Sequence, residues 1–114
     1  MNIRIITEGI TIEEAREIAR EFYTDMVKGV VDIEREIVAL GGEYHMDANQ
    51  KLTESGSRQK DIWGFNFYVD KGKEERLEYT SLINIRPVSG NKSMVVEDEN
   101  VRVRMKKIIN SKIL

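Results

Sequence analysis

A single histidine, His45, lies in the alternating stretch Glu43-Tyr44-His45-Met46-Asp47. Imidazole titrates near neutrality, and a carboxylate beside it would orient and charge it. In the strand register developed below, Tyr68 and Glu78 share a row with His45. That row can be acid–base machinery, with His45 and Glu78 as the pair. It is also what a solvated sheet face with ordinary cross-strand pairs looks like. No nucleophile with its own base accompanies it, so His45 and Glu78 are the only catalytic candidates and the balance falls against an enzyme. Glu43, His45 and Asp47 alternate onto one side of the same stretch. Side chains at i and i+2 on a flat strand rarely converge on one ion, so no metal and no cofactor is expected.

Binding chemistry is better represented. Asn66 and Asn84 fall inside predicted strands, where asparagine is depleted. With Asp47 and Arg86 they offer directional donors and acceptors on one face. Tyr68 is the aromatic residue of that face, and Asn91 sits in the adjoining loop 88–92. The plainer alternative is that these groups satisfy the loop or a subunit contact. Pro87-Val88-Ser89-Gly90-Asn91-Lys92 has too few glycines for a phosphate cradle and leads into a strand, not a helix N-terminus. The last predicted helix carries Arg102, Arg104, Lys106 and Lys107, a basic patch that a nucleic acid could use. Cations also complement a helix C-terminus. The whole chain has a formal net charge of -2, whereas a nucleic-acid-binding domain is usually clearly basic.

The elements that must hold these groups are read from periodicity. The chain has 114 residues, 40% of them hydrophobic and 33% charged, which suits one domain, 1–114, with one core. It has no cysteine, so disulfides, thiolate zinc sites and cysteine nucleophiles are excluded. No run approaches a membrane span and the N-terminus does not read as a signal peptide, so a cytoplasmic location is expected. Residues 2–7 read as a strand. Thr11 and Glu14 form a capping box. From there Ala15, Ala19, Phe22, Met26, Val30, Ile33, Ile37 and Leu40 fall at spacings of three and four. They predict one helix over residues 12–40, stopped by Gly41-Gly42. Such a helix is roughly 43 Å long, against a body roughly 34 Å across. It kinks near Lys28-Gly29 or overhangs, and an overhanging apolar stripe calls for a second copy.

A three-strand meander follows, with strands over 43–54, 59–69 and 75–86 and a tight turn at Gly56-Ser57. Met94-Val95-Val96 reads as a short strand, and Asp98 caps a final helix. The turns set Met46 against Phe67, Tyr44 against Val69, Phe67 against Tyr79, and Trp63 against Ile83. Trp63, Phe65, Phe67, Val69, Leu77, Tyr79, Ile83 and Ile85 then share an apolar face with Tyr44 and Met46. His45, Asp47, Asn66, Tyr68, Glu78 and Arg86 take the other face. The expected fold is α+β: a long N-terminal helix packed on a largely antiparallel sheet containing the meander, with a C-terminal helix (β-α-β-β-β-β-α).

The segments Gly56-Ser57-Arg58-Gln59, Trp63-Gly64, TSLINIRP (80–87), GNKSM (90–94) and MVKGVVDIEREIVALGGE (26–43) resemble those of a family of small uncharacterised prokaryotic proteins, a domain of unknown function. The resemblance spans nearly the whole chain and implies a self-contained domain. It carries no activity, ligand or site residue. The reading is therefore a homodimeric binding or interaction module that contacts a small ligand or protein through its polar sheet face and loop 88–92. A nucleic-acid binder and an enzyme using His45 and Glu78 are the alternatives.

Overall fold

The computed structural model describes residues 1–114. It is α+β, with a five-stranded antiparallel sheet: β1 (Arg4–Ile6), β2 (Met26–Asp32), β3 (Ile37–Leu40), β4 (Ile62–Tyr68) and β5 (Leu77–Glu78). Their spatial order is β1-β3-β2-β4-β5. Three helices join them: α1 (Ile12–Ala19), α2 (His45–Glu54) and α3 (Glu99–Lys112). No helix is long and apolar enough to cross a membrane.

The start of α1 follows the expected chemistry. Thr11 Oγ1 accepts from the Glu14 amide at 3.1 Å, and the Glu14 carboxylate reaches back to Thr11 N. The long helix does not form. α1 ends at Ala19, and residues 26–40 fold back as the hairpin β2–β3. Val27, Val30 and Val31 are β-branched and favour the pleated surface. The run is covered on both faces, so apolar residues fill nearly every position and the period of two disappears. Asp32 Oδ1 accepts from the amides of Glu34 and Arg35 and fixes the turn. With α1 only eight residues long, the overhang that called for a second copy has no basis.

The meander is corrected in the same way. Residues 45–54 are α2, not a strand, with His45, Ala48, Asn49 and Leu52 on its buried face. Gly41 and Gly42 have φ of 119° and 95° and turn the chain from β3 into α2, a conformation that disfavours residues with a Cβ. Gly56 and Ser57 follow a helix and are not a hairpin turn. The strand expected over 75–86 shortens to Leu77–Glu78. Met94–Val96 contributes a single bridge, Thr80 to Val95. Residues 79–98 otherwise form an irregular wall containing 3-10 turns at Leu82–Asn84 and Pro87–Ser89. The pairing Phe67 to Tyr79 becomes Phe67 to Leu77. Tyr44 and Met46 leave the apolar face for exposed positions, and Ile85 is exposed as well.

The division of β4 into two faces is as the alternation predicts. Trp63, Phe65, Phe67 and Val69 join the larger core with Ile18 of α1 and Met105 and Ile109 of α3. On the opposite face Val30, Ile37, Ala39 and Ile62 pack with Ala48 and Leu52 of α2, and Ile83 rests against them. The helices thus make three layers around one sheet. The irregular wall presses closely on β4: a Cβ on Gly64 would lie 2.5 Å from Ser81 Cβ and 2.7 Å from Ser81 Oγ. Gly64→Ala is expected to cost about 2 kcal/mol in urea denaturation, by overpacking. Gly72→Ala, where a Cβ meets nothing within 4 Å, is the control and should be near neutral.

Candidate functional site

The sheet face opposite α1 and α3 is not fully covered. Between the first turn of α2 and the wall 80–94 lies a cleft of about 390 Å³. Lys28 and Asn66 rise from β2 and β4 to line it. Tyr44, His45 and Met46 form one side, and Thr80, Ser81, Leu82, Ile83 and Met94 the other. Tyr44, Met46, Leu82 and Met94 are exposed around it. Its volume lies in the range of small-molecule sites, roughly 300–1,000 Å³.

His45 and Asn66 are held by different devices. His45 is the first residue of α2 and is 7% exposed. Its Nε2 lies 2.8 Å from the Phe65 carbonyl oxygen. A carbonyl only accepts, so Nε2 carries the proton and, in the neutral ring, Nδ1 keeps a lone pair. Burial drives the pKa down to about 4, and the Lys28 cation adds to this, while the Phe65 carbonyl, Asn66 and Glu78 oppose it. The ring is therefore neutral at pH 7. Asn66 is 8% exposed. Its Nδ2 donates to Glu78 Oε1 at 2.7 Å, and Tyr68 O–H donates to the same oxygen at 3.2 Å. Asn66 Oδ1 is buried without a partner. Burial, and then Glu78, raises the Tyr68 pKa.

His45, Asn66, Tyr68 and Glu78 thus come together, although α2 delivers His45 where a strand was expected. Asn66 makes the bond to Glu78, and no hydrogen bond joins His45 to Glu78 directly. Asp47 caps α2 through the Tyr44 amide at 2.9 Å. Glu43 precedes the helix, so the alternating trio is dispersed.

The remaining binding candidates spend their polar groups on backbone. Asn84 is fully buried and bonds Gly64 N and O at 2.8 and 3.1 Å and Met94 O at 3.1 Å. Asn91 Nδ2 donates to the carbonyls of Asn84, Ser93 and Val95, and its Oδ1 accepts from Glu97 N. Arg86 stacks on Trp63, 4.3 Å from the ring centroid, and donates to the carbonyls of Lys60 and Ile62. A second cavity of about 390 Å³ lies beside Trp63, Asn91, Glu97 and Asp98. Its two carboxylates already bond the amides of Lys92, Ser93 and Asn100.

The basic patch is likewise engaged. Arg102 donates to the carbonyls of Val96 and Glu97, Arg104 to that of Ile33, and Lys106 pairs with Glu74 at 3.0 Å. Lys107 is exposed.

Lys28, Tyr44, Met46, Thr80, Ser81, Leu82, Ile83 and Met94 were not among the sequence candidates. A signal existed for two of them. Lys28 interrupts the otherwise apolar run of β2 (MVKGVV). Ser81 carries a turn-forming hydroxyl, which accepts from Ile83 N at 3.2 Å.

These features define a three-layer α+β domain with one amphipathic cleft on its half-covered face. The family model described as a protein of unknown function (DUF5674) matches residues 4–112, and the chain belongs to that family. No curated protein and no solved structure matches it.

Proposed function

We propose that this domain is a small-molecule binding module and that its site is the cleft between the start of α2 and residues 80–94. One observation carries the reading: a concave cleft of about 390 Å³ combines the apolar side chains of Tyr44, Met46, Leu82, Ile83 and Met94 with a few polar ones, Lys28, His45, Asn66, Thr80 and Ser81, which is the composition of small-molecule sites. Exposed Met46, Leu82 and Met94 give the ligand an adaptable apolar rim.

The engaged cations of α3 weigh against a nucleic-acid face. The absence of a direct His45–Glu78 bond weighs against a catalytic pair. A fragment screen by methionine methyl NMR tests the proposal. Hits should shift the methyls of Met46 and Met94 and leave those of Met26 and Met105 in place. Met46→Trp, on an exposed helix position, should fill the cleft and reduce binding at least tenfold. Hits that shift other regions, with Met46 and Met94 unmoved, would sink the reading.

A further inference from the structure

The two edges of the sheet are treated differently. Beside β5, residues 79–96 fold back over the edge. Val96 N donates to the Tyr79 carbonyl at 3.0 Å, Thr80 bridges Val95, and Asn84 serves Gly64. No strand or bridge covers the outer side of β1, the last strand at the other edge. The register shows which of its groups are free. Gly41 N donates to Lys28 O at 2.9 Å. Bonded and non-bonded pairs alternate in an antiparallel ladder, so Lys28–Gly41 and Val30–Ala39 are the bonded pairs between β2 and β3. Leu40 and Val38, at the alternate positions, turn their groups to Arg4 and Ile6 of β1. Ile3 and Ile5 therefore point their N–H and C=O groups out of the sheet. Thr7 is next in that row. Its carbonyl accepts from Lys112 Nζ and keeps a second lone pair. An open row of this kind is a template for another strand. The one charge of β1, Arg4, is balanced within the chain by Glu14 at 2.7 Å.

We propose that β1 is the contact surface for a second copy of this chain, paired antiparallel about a two-fold axis at Ile5 so that the two five-stranded sheets become one. The Ile5 N–H of each copy would donate to the carbonyl of the partner's Ile5, and Ile3 would pair in the same way with the partner's Thr7. Side chains alternate along the strand: Ile6 is buried in the larger core, and Ile3 packs on the α2 side. Ile5, on that same side and 39% exposed, would be covered by the partner's Ile5. Charge selects this register. Pairing about Arg4 would satisfy Ile3 and Ile5 as well, but it sets two arginines directly opposite each other, which is unfavourable. Pairing about Ile5 sets Arg4 beside the partner's Ile6 and diagonal to the partner's Glu8, within reach for opposite charges. Asn2 then faces the partner's Glu8 and can donate to it. Such an isologous contact closes on itself. The cleft stands over β2 and β4, towards the other edge, and stays open.

Sedimentation velocity on the full chain, from micromolar to millimolar concentration, should show a monomer converting to a dimer. Ile5→Pro removes the outward N–H, and proline is tolerated where the N–H of an edge strand faces solvent. Ile5→Lys keeps the backbone and sets two cations on the axis. Each should weaken the dimer at least about tenfold, with the far-UV circular dichroism unchanged. The chain has no cysteine, so Ile5→Cys introduces a single thiol. Bonded partners sit about 5.5 Å apart at Cα, within the span of a disulfide, and mild oxidation should yield a covalent dimer. Ile3→Cys, opposite the partner's Thr7, should yield little. A chain that stays monomeric at millimolar concentration would overturn the proposal. So would a dimer that Ile5→Pro and Ile5→Lys leave as tight as before, since its seam lies elsewhere. Equal cross-linking through Ile3→Cys and Ile5→Cys would overturn the pairing about Ile5.

Discussion

Between pH 6.5 and pH 4 the domain is expected to lose about 3 kcal/mol of stability through one side chain, His45. The folded ring titrates at about 4, because burial disfavours its charge and Lys28 repels it. In the unfolded chain it titrates near 6.5. Inside that window the unfolded chain binds a proton that the folded chain refuses, so falling pH favours unfolding. Below pH 4 both states are protonated and this contribution levels off. Glu14 and Glu97 have lowered pKa values, through hydrogen bonds from Arg4 and from the Lys92 amide. They add loss in the same direction below about pH 4.5, outside most of the histidine window. Urea denaturation at pH 4.5, 5.5 and 7 should show the slope, and His45→Gln should remove most of it. A histidine NMR titration centred near 6.5 in the folded protein would contradict this.

Asn84→Ala should be the most damaging polar substitution, at about 4 kcal/mol. At Gly64, β4 pairs with β2 on one side through Val30. On its other side β5 reaches only Asn66 and Phe67. The Asn84 carboxamide fills that gap. It accepts from Gly64 N and donates to Gly64 O, as the peptide group of a neighbouring strand would. It also holds Met94 O, and its own backbone carbonyl accepts from Asn91. Alanine strands a buried N–H and a buried C=O together, each costing on the order of 1–3 kcal/mol. The loss is a large share of a total stability near 5–15 kcal/mol. Hydrogen exchange should quicken at Gly64, Ser81 and Val96, whose amides belong to this junction. A change below about 1 kcal/mol would refute the strand-mimic role.

The capping chemistry at Thr11 and Asp98 and the two faces of β4 were legible, because each rests on local spacing. Residues 26–40 were not. Met26, Val30, Ile33, Ile37 and Leu40 match a helical stripe, but β2 and β3 are buried on both faces and the match is accidental. The stretch 44–48 alternates like a strand, yet Ala48 and Leu52 at i and i+4, with Gly41-Gly42 before them, make a helix. The candidate site was half legible. Asn66, Tyr68 and Glu78 share a face by alternation alone. Their meeting with His45 depends on α2, and the cleft walls depend on how residues 79–98 fold without regular structure. The strand asparagines signalled polar demand, and the structure divides them: Asn84 serves the backbone, while Asn66 keeps one atom free.

The last helix has a consequence for synthesis on the ribosome. Met105, Ile108 and Ile109 complete the cover over Trp63, Phe65 and Phe67, and Ile113 pairs with Ile10 across nearly the whole chain. The opposite face closes earlier, with α2 and residues 80–96. A nascent chain that has emerged to residue 98 therefore carries an aromatic face shielded by α1 alone. Such a surface is what chaperones hold and what aggregates at a stalled ribosome. The cleft can take shape before the domain is finished, and its stability arrives only with the final helix.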